Sequence, residues 1–171
     1  QIPNSFANGV VSSTTALCNN TATGTATYAP TQAGITYAWS TTPVQSNATA
    51  TNLLAGNYNV TVTDSYGCSA AFATTIGQPA GITLPNLVVV NESCAGMANG
   101  TITANASGGT APYTYTWSNG ATGSVLTAGA GTYSVSVTDA NGCAPAAGSA
   151  TINAAAQPNQ ANAGPDLIGC V

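Results

Sequence analysis

Very few groups in this chain could carry proton or nucleophile chemistry. Its 171 residues include no Lys, Arg or His. The side-chain carboxylates are Asp64, Glu92, Asp139 and Asp166, and the thiols are Cys18, Cys68, Cys94, Cys143 and Cys170. The usual general base, Schiff-base amine and cationic oxyanion clamp are therefore missing. Two carboxylates could hydrolyse a glycosidic bond if held about 5–9.5 Å apart. Asp64 and Asp139, however, stand at equivalent places in two copies of one phrase, "GNYNVTVTDSYGC" (56–68) and "GTYSVSVTDANGC" (131–143). They are expected in different domains, too far apart to cooperate, and the chain is not expected to be an enzyme.

Metal and cofactor chemistry fares no better. Zinc sites of the cysteine–histidine and all-cysteine kinds need His or CxxC pairs, and the chain has neither. Calcium at Asp64 or Asp139 would find one carboxylate and some carbonyls, a weak site for a cation that wants six or more oxygens. The segments Asp64–Gly67 and Asp139–Gly142 instead predict turns. Asp accepts a hydrogen bond from the backbone two residues on, and Gly67 and Gly142 take positive φ. Glu92, just before Cys94, is expected as a solvated strand-edge residue. Trp39 and Trp117 share parity with Tyr37 and with Tyr113 and Tyr115, so they are expected in the core rather than stacked on a sugar. No cofactor is expected.

Composition narrows the partners. Charged residues make up 2% and the formal charge is −4, so the counterion-release term that drives nucleic-acid binding is absent. An anionic membrane surface attracts the chain no better. The longest purely apolar run of interest, "LVVV" (87–90), is far short of the roughly 18 residues a membrane helix needs. No signal-peptide pattern opens the sequence, so a mature form or a fragment is expected. Low charge normally threatens solubility. Thr, Ser and Asn can hydrate part of the surface, and six N-x-S/T sequons, at Asn19, Asn47, Asn59, Asn91, Asn99 and Asn105, offer sites for covalent glycans. Such motifs also arise by chance in a chain rich in Asn and Thr.

The elements that position these groups come in two copies. Cys18, Cys94 and Cys170 fall 76 residues apart, with Cys68 and Cys143 interleaved 50 and 49 residues after the first two. "TGTAT" (23–27) matches "NGTIT" (99–103), and "ITYAWS" (35–40) matches "YTYTWS" (113–118). "TTIGQPA" (74–80) and "ATINAAAQP" (150–158) each run from a strand pattern into a Gln-Pro linker. These are tandem repeats. The simple reading of the thiols is one disulfide per repeat, Cys18–Cys68 and Cys94–Cys143, with Cys170 unpaired or partnered outside this segment. Five reduced thiols are the alternative. Closing a loop of that size would stabilise a small domain by roughly 4 kcal/mol in the chain-entropy limit.

Within each copy the apolar period is two. Tyr58, Val60 and Val62 alternate with polar residues, as do Tyr133, Val135 and Val137, so one strand face packs and the other is wet. No stretch reads as an amphipathic helix. Several short strands per ~75 residues, bounded by turn signals, read as a β-sandwich. The domains expected are 1–79 and 80–158, with 159–171 a linker and the opening strand of a further repeat. Residues 1–11 are either the first strand of domain 1 or a strand exchanged with a neighbour by β-augmentation, and 159–171 raise the same question.

The stretch "NGTITANASGGTAPYTYTWSNGATGSVLTAGAGTYSVSVTDANGC" (99–143) resembles the SprB-type repeat of large surface proteins and adhesins in Bacteroidota. The resemblance is carried by Asn99-Gly100, Gly108-Gly109, Pro112-Tyr113, Trp117 to Gly120, Gly131 to Tyr133 and the closing Val-Thr-Asp-x-x-Gly-Cys. The first copy lacks the double Gly and the Ser-Asn-Gly after its Trp. "ANAGPDLIGC" (161–170) looks like the opening of a related immunoglobulin- or PKD-like repeat. The resemblance implies an all-β fold of two tandem immunoglobulin-like sandwiches plus the first strand of a third. It also implies an extracellular or cell-surface setting, with copies of itself or further repeats of the same chain as partners. A structural segment of a fibre or stalk is the expected role; the alternative is an adhesin module that binds glycans or surfaces directly. One departure from immunoglobulins stands out: the second Cys lies beyond the turn rather than in the strand carrying Tyr and the two Val residues.

Overall fold

A computed structural model of the chain describes residues 6, 9–29 and 34–156. Among these there are twelve strands and no helix, and the chain divides into two compact units, Gln1–Gly81 and Ile82–Val171. The first unit contains β1 (Val10–Thr14), β2 (Gly24–Ala29), β3 (Thr36–Trp39), β4 (Thr49–Leu53), β5 (Gly56–Thr63) and β6 (Ser69–Ile76). The second contains β7 (Leu87–Val90), β8 (Gly100–Ala104), β9 (Thr114–Trp117), β10 (Val125–Ala128), β11 (Gly131–Thr138) and β12 (Ala146–Ile152).

Each unit pairs its strands antiparallel into two three-stranded sheets, β1-β2-β4 and β3-β5-β6 in the first, β7-β8-β10 and β9-β11-β12 in the second. With the six strands of a unit in chain order, strands one, two and four form one sheet and three, five and six the other. This is immunoglobulin-like connectivity without the extra edge strand of the constant domain. The period-two pattern dictates it. In β5 the inward Val60 and Val62 are fully buried while Thr61 between them is exposed. Val135 and Val137 do the same in β11.

The two cores are built alike. In the first, Trp39, Tyr28, Leu53, Val60, Val62 and Ile76 pack together; in the second, Trp117, Ile102, Leu126, Val135, Val137 and Ile152 do. Each Trp fills the sandwich and still satisfies its indole N–H, donating to the Asn47 carbonyl in one unit and the Gly123 carbonyl in the other, both at 2.9 Å. A buried indole without that partner would forfeit the cost of desolvating its donor. The opening of β2 and β8 requires glycine. A Cβ on Gly24 or Gly100 would collide with the Cγ2 of Ile76 or Ile152, which explains why the matching phrases at 23–27 and 99–103 share a Gly.

One sequence expectation changes here, and residues 10 and 11 follow the first of two alternatives. Residues 10 and 11, counted in the candidate exchanged strand, open β1 and pair with Ala29 and Tyr28 of their own unit. Val11 packs on that unit's core, which holds the strand in place. The rest of 1–11, apart from Phe6 and Gly9, and all of 159–171 lie outside the described residues. Glu92 is not solvated: it is one of the buried residues of the second unit.

Candidate functional site

The carboxylates and thiols are the only candidate chemical groups, and the fold turns the described carboxylates inward. Asp64, Glu92 and Asp139 are each less than a tenth exposed. Asp64 Oδ1 accepts the N–H groups of Tyr66 and Cys68, both at 2.9 Å. Asp139 Oδ1 does the same for Asn141 at 3.1 Å and Cys143 at 2.9 Å, and its Oδ2 accepts the Thr110 N–H at 3.0 Å. Those bonds hold the Asp139 carboxyl below the usual carboxylate range, the Cys143 N–H contributing most, against an opposing push from burial. Gly67 and Gly142 take φ of 85° and 68°, so both segments are Asx turns. Glu92 accepts the Ala98 N–H at 3.0 Å and the Gly96 N–H at 3.4 Å, closing the loop between β7 and β8.

These lone pairs face N–H donors, and a cation at either Asp would have to displace them. Among the described residues, no three of Cys, Asp and Glu lie close enough together to hold a metal ion. Asp139 also accounts for the double glycine of the second repeat. Gly109 has φ of 61°, and a Cβ there would sit 2.8 Å from Asp139 Oδ2 and 2.8 Å from Ile82 Cγ1. Asp166 lies outside the described residues.

The cysteines are where the structure departs furthest from the sequence reading. Cys68 is a free, exposed thiol, while Cys18, Cys94 and Cys143 are disulfide-bonded. The expected Cys18–Cys68 bridge is absent for a geometric reason. The loop holding Cys18 is tied to the far end of β6: Ala16 N–H donates to Gly77 O at 2.8 Å and Asn20 N–H to Gln78 Oε1 at 2.7 Å. Cys68 sits at the near end, just before Ser69. An eight-residue strand, roughly 26 Å at 3.3 Å per residue, separates two Cα atoms that would need to be within about 7 Å.

The expected Cys94–Cys143 bridge fails identically. Glu92 N–H donates to Asn153 O at 3.3 Å and Asn153 N–H to Asn91 Oδ1 at 2.9 Å, so the Cys94 loop lies past the end of β12. Cys143 precedes its beginning. Cys170 lies outside the described residues.

Sequence reasoning missed a pair of tyrosines. Tyr58 O–H donates to Leu54 O, and Tyr133 O–H to Gly129 O, both at 3.1 Å and both four residues upstream. This is the tyrosine corner of immunoglobulin-like domains, placed two residues before the inward position that carries their second Cys. Here that position is Val60 or Val135, fully buried. The spacing Gly-x-Tyr-x-Val-x-Val could have revealed it. Of the six sequon asparagines, Asn19 donates to Pro79 O and Asn99 to Ser93 Oγ, while Asn91 Oδ1 accepts the Asn153 N–H. Asn47, Asn59 and Asn105 are exposed with no side-chain hydrogen bond among the described residues.

With two copies of one sandwich in view, the comparison with known families is short. Residues 86–122 match the SprB repeat. That stretch runs from the start of β7 through Trp117 to the turn beyond it. No curated protein matches the chain. Similar solved structures include a C-terminal intimin fragment in complex with the translocated intimin receptor's intimin-binding domain: 16% identity, TM-score 0.40, covering 84% of this chain and 63% of that one. The amphioxus IgVJ-C2 molecule is another, at 18% identity and TM-score 0.33, with 85% and 96% covered. The BSP domain of a biofilm-associated protein is a third, at 12% and 0.27, with 88% and 30% covered. The chain thus spans less than two thirds of the intimin fragment.

Proposed function

We propose that the chain is a segment of an extracellular fibre or cell-surface stalk, made of tandem sandwiches and carrying covalent glycans. The observation that carries this reading is where the polar groups go. Each described carboxylate closes a loop of its own unit, and among the described residues what faces outward is neutral. Cross-strand hydroxyl pairs such as Thr14–Thr25, Thr27–Thr49 and Thr132–Thr151, at 2.9–3.0 Å, cover the outer faces and add to sheet stability. Such a surface offers little to a charged ligand and no proton chemistry. Glycans on Asn47, Asn59 or Asn105, whose side chains are exposed, or on the Thr rows, would supply the hydration that charge does not. Repetition of the unit supplies length.

Electron cryo-microscopy of native, unreduced and untreated material tests this. Uniform fibres with a fixed axial repeat select the fibre, flexible unassociated strings of beads select the stalk, and Asn and Thr without added density refute the glycans. An open groove of about 520 Å³ in the first unit, bordered by Ser40, Thr41, Gln45, Asn52 and Tyr58, favours the second reading, an adhesin module. Binding to a glycan array that is lost on Asn52→Ala and Gln45→Ala would select it.

A further inference from the structure

The sheet β7-β8-β10 of the second unit ends at β10, and no described strand pairs with its outer edge. In an immunoglobulin constant domain a fourth strand lies along that edge. Ala104 N–H donates to Ser124 O at 2.8 Å, and Leu126 stands opposite Ile102 two residues on. Antiparallel partners alternate between bonded and non-bonded positions. Ser124 and Leu126 therefore direct their backbone groups to β8, while Val125 and Thr127 turn their N–H and C=O groups away from it. Those groups take no hydrogen-bond partner among the described residues.

The first unit closes the same edge. There the Gln45 side chain binds Thr51 as a strand would, its Oε1 accepting the Thr51 N–H and its Nε2 donating to the Thr51 carbonyl, both at 2.9 Å. An irregularity follows: Asn52 takes φ of 56° and the pairing of β4 with β2 shifts register. Caps and bulges of this kind keep an edge from pairing. The second unit has neither. Ala121, whose carbonyl accepts the Trp117 N–H as that of Gln45 accepts the Trp39 N–H, has no amide to offer. β10 pairs with β8 without a break. The outer faces differ too. Hydroxyl pairs cover that of the first unit, whereas in the second Val88 and Val125 flank Thr103, and Val88, Val90 and Val125 are 53%, 57% and 50% exposed.

We propose that β10 is an interaction surface for a second copy of this chain, the two β10 strands pairing antiparallel about a twofold axis between their Leu126 residues. The open groups select the partner. They are symmetric about Leu126, so an identical strand running the other way satisfies all of them: Val125 of each copy exchanges N–H···O bonds with Thr127 of the other. No residue of β7, β8 or β10 is charged, so two identical edges meet without the like-charge repulsion that Lys usually supplies at such places. Two three-stranded sheets become one continuous sheet, and each Val125 lies beside a Thr127, a β-branched pair that adds stability. One short strand buries less than the ~1,000 Å² of a lasting interface. The pairing is therefore weak between single chains and accumulates along an array of repeats. A twofold contact closes on itself, so it joins stalks side by side rather than end to end. Two isolated chains suffice for it, and it goes beyond the fibre reading.

Sedimentation and residue-resolved amide exchange of the whole 171-residue chain, its free thiols alkylated to exclude disulfide dimers, test this. Dimers are expected as concentration rises from micromolar to millimolar. The Val125 and Thr127 amides should slow by roughly tenfold once about nine-tenths of the chain is paired, with the Thr51 amide unchanged. Val125→Lys places like charges near the axis. Thr127→Pro deletes an N–H that faces away from β8, which an edge strand tolerates. Each variant, its fold checked by circular dichroism, should lower the association constant by about tenfold or more, since interstrand bonds are lost in both halves of the dimer. Thr51→Lys, on the closed edge of the first unit, should leave it unchanged.

A chain monomeric throughout, or a dimer indifferent to both β10 variants, would overturn the proposal. So would nuclear Overhauser contacts from β10 to any strand other than the second copy's β10. Fibres that persist after dimerisation is lost leave the fibre reading standing; dimers through β10 in material without fibres do the reverse.

Discussion

Tyr133→Phe removes a single oxygen from the second unit and leaves the ring in place. The lost bond runs from the Tyr133 hydroxyl to Gly129 O at 3.1 Å, bridging the β10–β11 turn that sets where β11 begins. A net intramolecular hydrogen bond contributes about 1 kcal/mol. Gly129 is half-exposed, so water can reach its carbonyl in the variant, and the cost stays near that figure. One kcal/mol is a factor of about 5 in an equilibrium constant. Amide hydrogen exchange reads it directly: peptides from β11 and β12 should exchange roughly fivefold faster by global opening of their unit. Peptides from β5 and β6 should be unchanged and serve as the internal reference. Tyr115→Phe is the control, because that half-buried tyrosine makes no hydroxyl hydrogen bond among the described residues. Equal acceleration in both variants, or none in Tyr133→Phe, would refute the tyrosine corner as a stabilising contact.

Three other outcomes follow from the same geometry. Gly100→Ala drives a methyl into Ile152, and overpacking of this kind costs about 1–3 kcal/mol; urea unfolding should show a lower midpoint with an unchanged slope. Glu92→Ala removes the acceptor of the Gly96 and Ala98 N–H groups, which lie on exposed residues that water can reach, so the cost should be about 1 kcal/mol per bond lost, whereas a solvated Glu92 would be replaceable at no measurable cost. Asp139 is held below the ordinary carboxylate range by backbone N–H groups, first that of Cys143. Its contribution is therefore full above the unfolded carboxylate value of about 3.9 and is lost as pH falls through the lower folded value. Thermal scans from pH 5 down to 2 should show that loss, and Asp139→Asn should flatten it.

The sequence by itself determined whatever depends on neighbours along the chain. Alternation in Tyr58-Asn59-Val60-Thr61-Val62 decides which side chains face inward, because successive Cβ atoms point to opposite faces of any strand. The 76-residue spacing of Cys18, Cys94 and Cys170, with the Trp-bearing phrases 78 residues apart, decides that one unit is written twice, and Asp-x-x-Gly decides its turns. Absence of cations excludes counterion release whatever the fold. Disulfide pairing was not legible, because equal spacing says nothing about which end of a sandwich each loop occupies. Only the antiparallel run of β6 and β12 separates Cys18 from Cys68 and Cys94 from Cys143 by a full strand. Glu92 reads as exposed in sequence, and only the chain folding back over residues 96–98 surrounds its carboxylate with donors. Gly109 likewise acquires its meaning from Asp139, thirty residues away, because a close backbone approach is a property of two segments in space and is written in neither alone.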